Sequence, residues 1–243
     1  MHRSAPRLTR ILACAAVPVM LVVAGCSSDS DGKTPDKGAA QSSSGTSKGA
    51  APKDSTPSVA PAKYAELPEP CKAITVKTID ELVPKAKSKA GTPSTSTDTS
   101  ARGGCSWNGL VDKGLKGSQY RWLDVSFLRY ESVATLGSGE KRAQESQTKE
   151  IAKLKATEGA KNVRDSVASG VGDQTTTVAY TLRKTGEDFV YATTVARAGN
   201  VLVIVNYNGT GYAGADTPND QKMMDGAVKA TKDAVAAIAT ANK

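Results

Sequence analysis

The chain has 243 residues, 39% of them hydrophobic and 23% charged, with 22 glycines and 11 prolines. That composition belongs to a globular protein and excludes both a collagen-like fibre and a polytopic membrane protein. The formal net charge is +8 and the one histidine is His2, so a mature form that has lost its first residues has no imidazole to act as base, nucleophile or metal ligand.

Arg3, Arg7 and Arg10 precede a mostly apolar run from Ile11 to Val23. A basic start and a short apolar core predict a secretory signal over residues 1–25. At 1.5 Å per residue the run covers about 20 Å, short of the roughly 30 Å of bilayer hydrocarbon. It ends in Val23-Ala24-Gly25-Cys26, which resembles the bacterial lipobox. The resemblance implies a diacylglyceryl thioether on Cys26 and cleavage before it, placing the protein on the extracytoplasmic face of the cell membrane. The competing reading is an ordinary secretory signal with an incidental Cys26. Cys14 falls inside the removed segment.

From Ser27 to Lys63 the residues are mainly Ser, Gly, Ala, Thr and Pro, with five lysines, four aspartates and no aromatic side chain. Such a stretch cannot bury a core and predicts a flexible tether over residues 26–63, with an r.m.s. span of about 35 Å. Residues 64–243 then keep 24 basic against 20 acidic residues. The excess is mild and forms no clustered stripe; aromatic and basic residues interleave only at Tyr120-Arg121-Trp122 and Arg129-Tyr130. Nucleic acid is not an expected partner.

Cys71 and Cys105 remain in the mature chain. In an oxidising compartment they predict a disulfide. The alternative is a redox or metal pair, which would need the histidine or Cys-x-x-Cys spacing that is missing here. Thr78, with Glu81 three residues on, predicts a short helix to about Lys87. Gly91 to Gly104 reads as a loop, Cys105–Trp107 as a strand and residues 110–118 as a basic connector. In Tyr120–Tyr130, Leu123, Val125 and Phe127 alternate with Asp124 and Ser126, the mark of a strand with one buried face. Ser138 to Thr157 predicts a solvent-facing helix. After the turn Gly170-Val-Gly-Asp173 come Thr175–Arg183, Phe189–Arg197 and Val201–Tyr207, joined by short turn-like connectors, an antiparallel meander. Val201–Val205 is apolar at both parities and predicts a central strand. Thr217-Pro218 opens a last helix to about Thr240. The expected fold is one α+β domain over residues 64–243, an antiparallel sheet of about five strands flanked by helices.

Pro70-Cys71, the helix opened by Thr78, Cys105-Ser-Trp107, Gly170-Val-Gly-Asp173 and Arg197-Ala-Gly-Asn200 occur in an order that resembles a family of actinobacterial lipoproteins of unknown function, over about residues 67–241. That family is similar to the extracellular sensor domains of mycobacterial Ser/Thr kinases and to the PsbP/Mog1-like α/β sandwich. The resemblance implies a Cys71–Cys105 bridge and a binding or sensing role, and it brings no catalytic residue.

Ser146-Gln-Thr-Lys149 and Lys184-Thr-Gly186 match two motifs of penicillin-binding enzymes, but no Ser-Asp-Asn lies between them. One sits mid-helix and the other reads as a hairpin turn, so hydrolase chemistry is not expected. Gly170-Val-Gly-Asp173 leads into a strand and lacks a lysine, so it is not a phosphate loop. No catalytic residue, metal ligand or cofactor is nominated. Asn206–Gly214, with Tyr207, Asn208 and Tyr212, is the candidate binding loop, against a plain flexible connector. Trp107 and Trp122 line either a groove or the core. The expected role is non-enzymatic binding or sensing at the cell envelope, with a wall component, small ligand or envelope protein as partner. The alternative is a carrier of a small hydrophobic ligand or lipid, held between the sheet and the last helix.

Overall fold

The computed structural model describes residues 59–243. Cys26, the predicted signal and all but the last residues of the predicted tether lie outside the described residues. Among the described residues no helix is long and apolar enough to cross a membrane.

Seven strands form one open antiparallel sheet: β1 (Thr92–Pro93), β2 (Arg102–Asp112), β3 (Ser118–Arg129), β4 (Lys161–Val167), β5 (Gln174–Lys184), β6 (Glu187–Ala198) and β7 (Val201–Tyr212). Their order across the sheet is β1-β2-β3-β7-β6-β5-β4. The hairpin β2–β3 and the meander β4–β7 are therefore joined where β7 returns to pair with β3. The expected alternation on β3 turns Leu123, Val125 and Phe127 inward. β7 is central: Val203 and Val205 join the core on one face, while Leu202 packs on the other.

The count exceeds the expected five strands for two reasons. β1 is a two-residue edge segment within the predicted loop. β4 is a charged edge strand, exposed at all seven positions, so it has no buried face to produce an alternation. Ion pairs hold it, Lys155–Asp165 at 2.9 Å and Arg164–Asp220 at 2.8 Å. β2 also runs further than Cys105–Trp107, into both the predicted loop and the predicted connector, because its glycines depress strand propensity without preventing pairing along its length with β3.

Helix α1 (Val76–Leu82) is capped by Thr75 rather than Thr78, the Thr75 side chain accepting from the Thr78 amide. It stops well before Lys87 because Pro84 disfavours helical geometry in the residue before it. α2 (Gly139–Lys155) falls within the predicted Ser138–Thr157 helix and is capped by Ser138. α3 (Asp220–Ala241) starts after Asn219, whose side chain accepts from Lys222, so Thr217-Pro218 precedes the helix and does not cap it. α1 and α3 cover one face of the sheet over Trp107, Phe127 and Val205. α2 covers part of the other, seating Leu154 near Val178, Val195 and Leu202. Its buried Gln147 donates to the carbonyls of Gln174 and Val195.

Cys71, on a single 3-10 turn (Pro70–Lys72), is bonded to Cys105 on β2, with 5.1 Å between the Cα atoms. The turn Gly170–Asp173 docks on the β6–β7 hairpin, where the Asp173 carboxylate accepts from Gly199 N and Arg197 Nη1. Asn200 is fully buried; its amide donates to the carbonyls of Tyr64 and Tyr130 and accepts from Tyr64 N. Asn242, just after α3, likewise accepts from the amides of Ala65 and Glu66. The motifs Gly170–Asp173 and Arg197–Asn200 are thus structural partners. Both core clusters and both bridged cysteines lie within residues 64–243.

Candidate functional site

The predicted loop Asn206–Gly214 is a strand as far as Tyr212, paired with β3 along its length and with β6 up to Gly209. Central pairing overrides the glycine-rich turn signal. Because alternate residues face opposite sides, Tyr207 lies under α3, while Asn208 and Tyr212 lie on the other face. The three do not form one binding loop. The Ser-x-x-Lys match lies on α2 and the Lys-Thr-Gly match at a hairpin. Ser146 accepts from the Tyr130 hydroxyl at 2.6 Å. Thr185 and Gly186 form the β5–β6 turn with φ of 50° and 87°.

Tyr207 floors a cleft of about 630 Å³ between α1, the N-terminal half of α3 and the β2–β3 end of the sheet. Its hydroxyl donates to the Leu82 carbonyl at 2.6 Å. Burial raises the Tyr207 pKa, and the nearby Arg121 guanidinium partly offsets that. The floor is shaped by missing side chains. A Cβ at Gly226 of α3 would lie 2.9 Å from both the Tyr207 ring and Leu82, and one at Gly209 would lie 2.9 Å from Arg121 Cδ and Nη1. Gly209 is the register partner of Arg121, so the arginine lies across the space that a larger residue would fill.

Arg121 is half-buried and fixed. Its Nη1 donates to the Tyr120 carbonyl at 2.7 Å and its Nη2 to Gln119 Oε1 at 2.9 Å, while Gln119 donates in turn to the Asp216 carbonyl at 2.7 Å. Four cations line the cleft, Lys113, Arg121, Lys222 and Lys229, against the carboxylates of Glu81 and Asp225. Lys229 pairs with Glu81. Among the described residues, Lys113, Arg121 and Lys222 make no ion pair. Leu82, Val111, Pro218 and Met223 supply the apolar lining.

The opposite face carries a different constellation where α2 does not reach. Trp122 and Asp124 of β3 stand beside Asn208 and Asn206 of β7 and Tyr191 and Thr193 of β6. Asn208 donates to Asn206, and Asn206 donates to Thr193. Burial pushes the Asp124 carboxyl up to about 6; the Trp122 indole N–H, donating to it at 3.0 Å, pulls the other way. A carboxyl harder to ionise in the fold than in the unfolded chain carries no penalty below about pH 4, and the penalty grows as pH rises through 6. Asp124→Asn keeps an acceptor for the indole and removes the charge. It should stabilise the domain by about 1–3 kcal/mol at pH 7.5 and leave it unchanged at pH 3.5, in melts at the two pH values. An equal shift at both would show that charge burial is not the cause.

Residues 21–192 match a family described as a protein of unknown function, DUF3558. The chain belongs to the DUF3558 family. The matched span begins ahead of Cys26 and ends within β6, so it includes Arg121 and both bridged cysteines, while Tyr207 and α3 lie beyond it. No curated protein sequence matches this DUF3558 chain. Among solved structures it is similar to LpqN of Mycobacterium tuberculosis, involved in cell envelope biogenesis, at 14% identity and a TM-score of 0.31, covering 58% of this chain and 82% of that one. It is also similar to TTHA0849 of Thermus thermophilus, at 9% identity and a TM-score of 0.21, over 73% and 94% of the two chains. The human StarD13 lipid transfer and protein localization domain matches at 11% identity and a TM-score of 0.19, over 63% and 89%. Superpositions this loose carry no property of those proteins over to this one.

Proposed function

We propose that this DUF3558 protein is a lipid-anchored envelope protein whose folded domain binds a small ligand, without transforming it, in the cleft beside Tyr207. The cleft carries this reading. Its volume of about 630 Å³ falls in the range of small-molecule sites, and it combines an apolar floor with a few fixed polar groups, as such sites do. It is not enclosed, which suits reversible binding or sensing better than enclosed transport. The apolar floor nevertheless favours a ligand with an apolar part, the feature that keeps the carrier reading in play. Position argues against catalysis. Asp124, the carboxyl lifted to about 6, stands on the opposite face of the sheet. The Tyr207 hydroxyl is already committed to the Leu82 carbonyl. The anchor rests on Val23-Ala24-Gly25-Cys26 and its basic, apolar lead.

Mass spectrometry on material from an actinobacterial host tests both parts. Intact protein from the membrane fraction should begin at Cys26 and carry a diacylglyceryl group. Residues 59–243 from the same host, sprayed under native conditions, should carry a non-covalent adduct that Gly226→Leu, which fills the floor beside Tyr207, abolishes. An unmodified N-terminus at another residue would remove the anchor. An adduct indifferent to Gly226→Leu would remove the cleft.

A further inference from the structure

Accepting the cleft as the ligand site, we infer that it selects amphiphiles with an anionic head, and that Arg121 is the residue that holds the head. Arg121 occupies an inward position of β3, in phase with Leu123, Val125 and Phe127. A charged group at such a position normally has a carboxylate partner. Here its hydrogen bonds go to a neutral carbonyl and a neutral amide, so its orientation is fixed while its charge stays uncompensated. A guanidinium held in this way presents its remaining donors to a phosphate or carboxylate with little ordering left to do.

The surroundings are cationic on balance, since four cations line the cleft against the carboxylates of Glu81 and Asp225. Lys113 and Lys222 stand on the rim without ion-pair partners among the described residues, and Lys229 is already neutralised by Glu81. The first turn of α3, a helix of 22 residues, borders the cleft through Asn219 and Lys222, and its amide dipoles add to the positive potential. The same cleft is also lined by Leu82, Val111, Tyr207 and Met223, which supply apolar surface. A free anion would use the cations and a neutral lipid the apolar surface. Only an anionic amphiphile uses both.

The test titrates residues 59–243 with dodecyl phosphate, dodecyl maltoside and inorganic phosphate, each below micelle formation, following by NMR the backbone amide signals of Gly209, of Gly211, the register partner of the cleft-lining Gln119, and of Gly226. Dodecyl phosphate should shift all three, and the other two probes should bind at least about tenfold more weakly. Arg121→Gln should weaken dodecyl phosphate about tenfold or more. Lys222→Glu, at an exposed position that leaves the core alone, should weaken it in the same direction, so the inference does not depend on Arg121→Gln folding well. If dodecyl maltoside binds as tightly and neither substitution matters, the anionic head is refuted while the cleft remains a ligand site. If inorganic phosphate binds as well as dodecyl phosphate, the ligand is a free anion and the amphiphile is refuted. If no probe moves these glycines, both the selectivity and the cleft reading fall.

Discussion

Trp107→Ala should lower the unfolding free energy by about 3–5 kcal/mol, the range for removing a large aromatic from a core that cannot collapse around the gap. Trp107 is 1% exposed and belongs to the main core cluster. Its indole N–H donates to the Lys89 carbonyl at 3.1 Å, and a Cβ at Gly91 would lie 2.7 Å from the ring. The ring is thus enclosed by a loop that turns around it, and truncation would both open a cavity and leave that carbonyl without a partner. Trp122→Ala, on the half-covered opposite face, is the natural control and should have a clearly smaller effect. Urea unfolding of the two variants decides the matter. Equal losses would mean that Trp107 is not the keystone its burial implies.

Breaking the bridge should have an effect of similar size. The disulfide closes a loop of 34 residues between the Pro70–Lys72 turn and β2, which in the chain-entropy model contributes about 3–4 kcal/mol through the unfolded state. Cys71→Ala should therefore lower the melting temperature markedly. A reducing agent should lower the wild type to the same level and leave the variant unmoved. A wild type insensitive to reduction, or a variant that melts like it, would contradict this account. The loop holds α1 and the segment against which Trp107 packs, so the bridge and the indole support the same corner of the core, and their double variant should be less than additive.

The parts of this fold with a strong local pattern were legible in the sequence. β3 announced itself through the alternation around Asp124, β7 through Val201–Val205, and α2 through Ser138 followed by a polar helical stretch. What escaped depended on partners distant in the chain. β4 lies at an edge with every residue exposed, and no periodicity marks a strand that buries nothing. The glycines of Asn206–Gly214 read as a loop because turns need glycine, yet Gly209 is there to let Arg121 cross the sheet, a requirement set by pairing between β3 and β7. The cleft escaped for the same reason, since its floor joins α1, β3, β7 and α3. One local signal did point to it. Counting back from Phe127, Val125 and Leu123 in steps of two leads to Arg121, a cation in phase with a buried face. Tyr120-Arg121-Trp122 looks like an interleaved basic patch, but the pleat sends its arginine to one side and its aromatic rings to the other.

The asparagine clasps on the N-terminal segment have a bearing on access. Asn200 and Asn242 fasten Tyr64, Ala65 and Glu66 beside the β6–β7 hairpin, where β7 begins, whereas Tyr207 lines the cleft toward its far end. At about 3.3 Å per residue the two places are roughly 20 Å apart along the strand. In the proposed lipid-anchored, ligand-binding form the domain would therefore be polar in the mechanical sense, attached at one end and open for exchange at the other. In that form a pull on the N-terminal segment would load the β6–β7 hairpin first, and the proposed ligand capture and attachment would answer to separate substitutions.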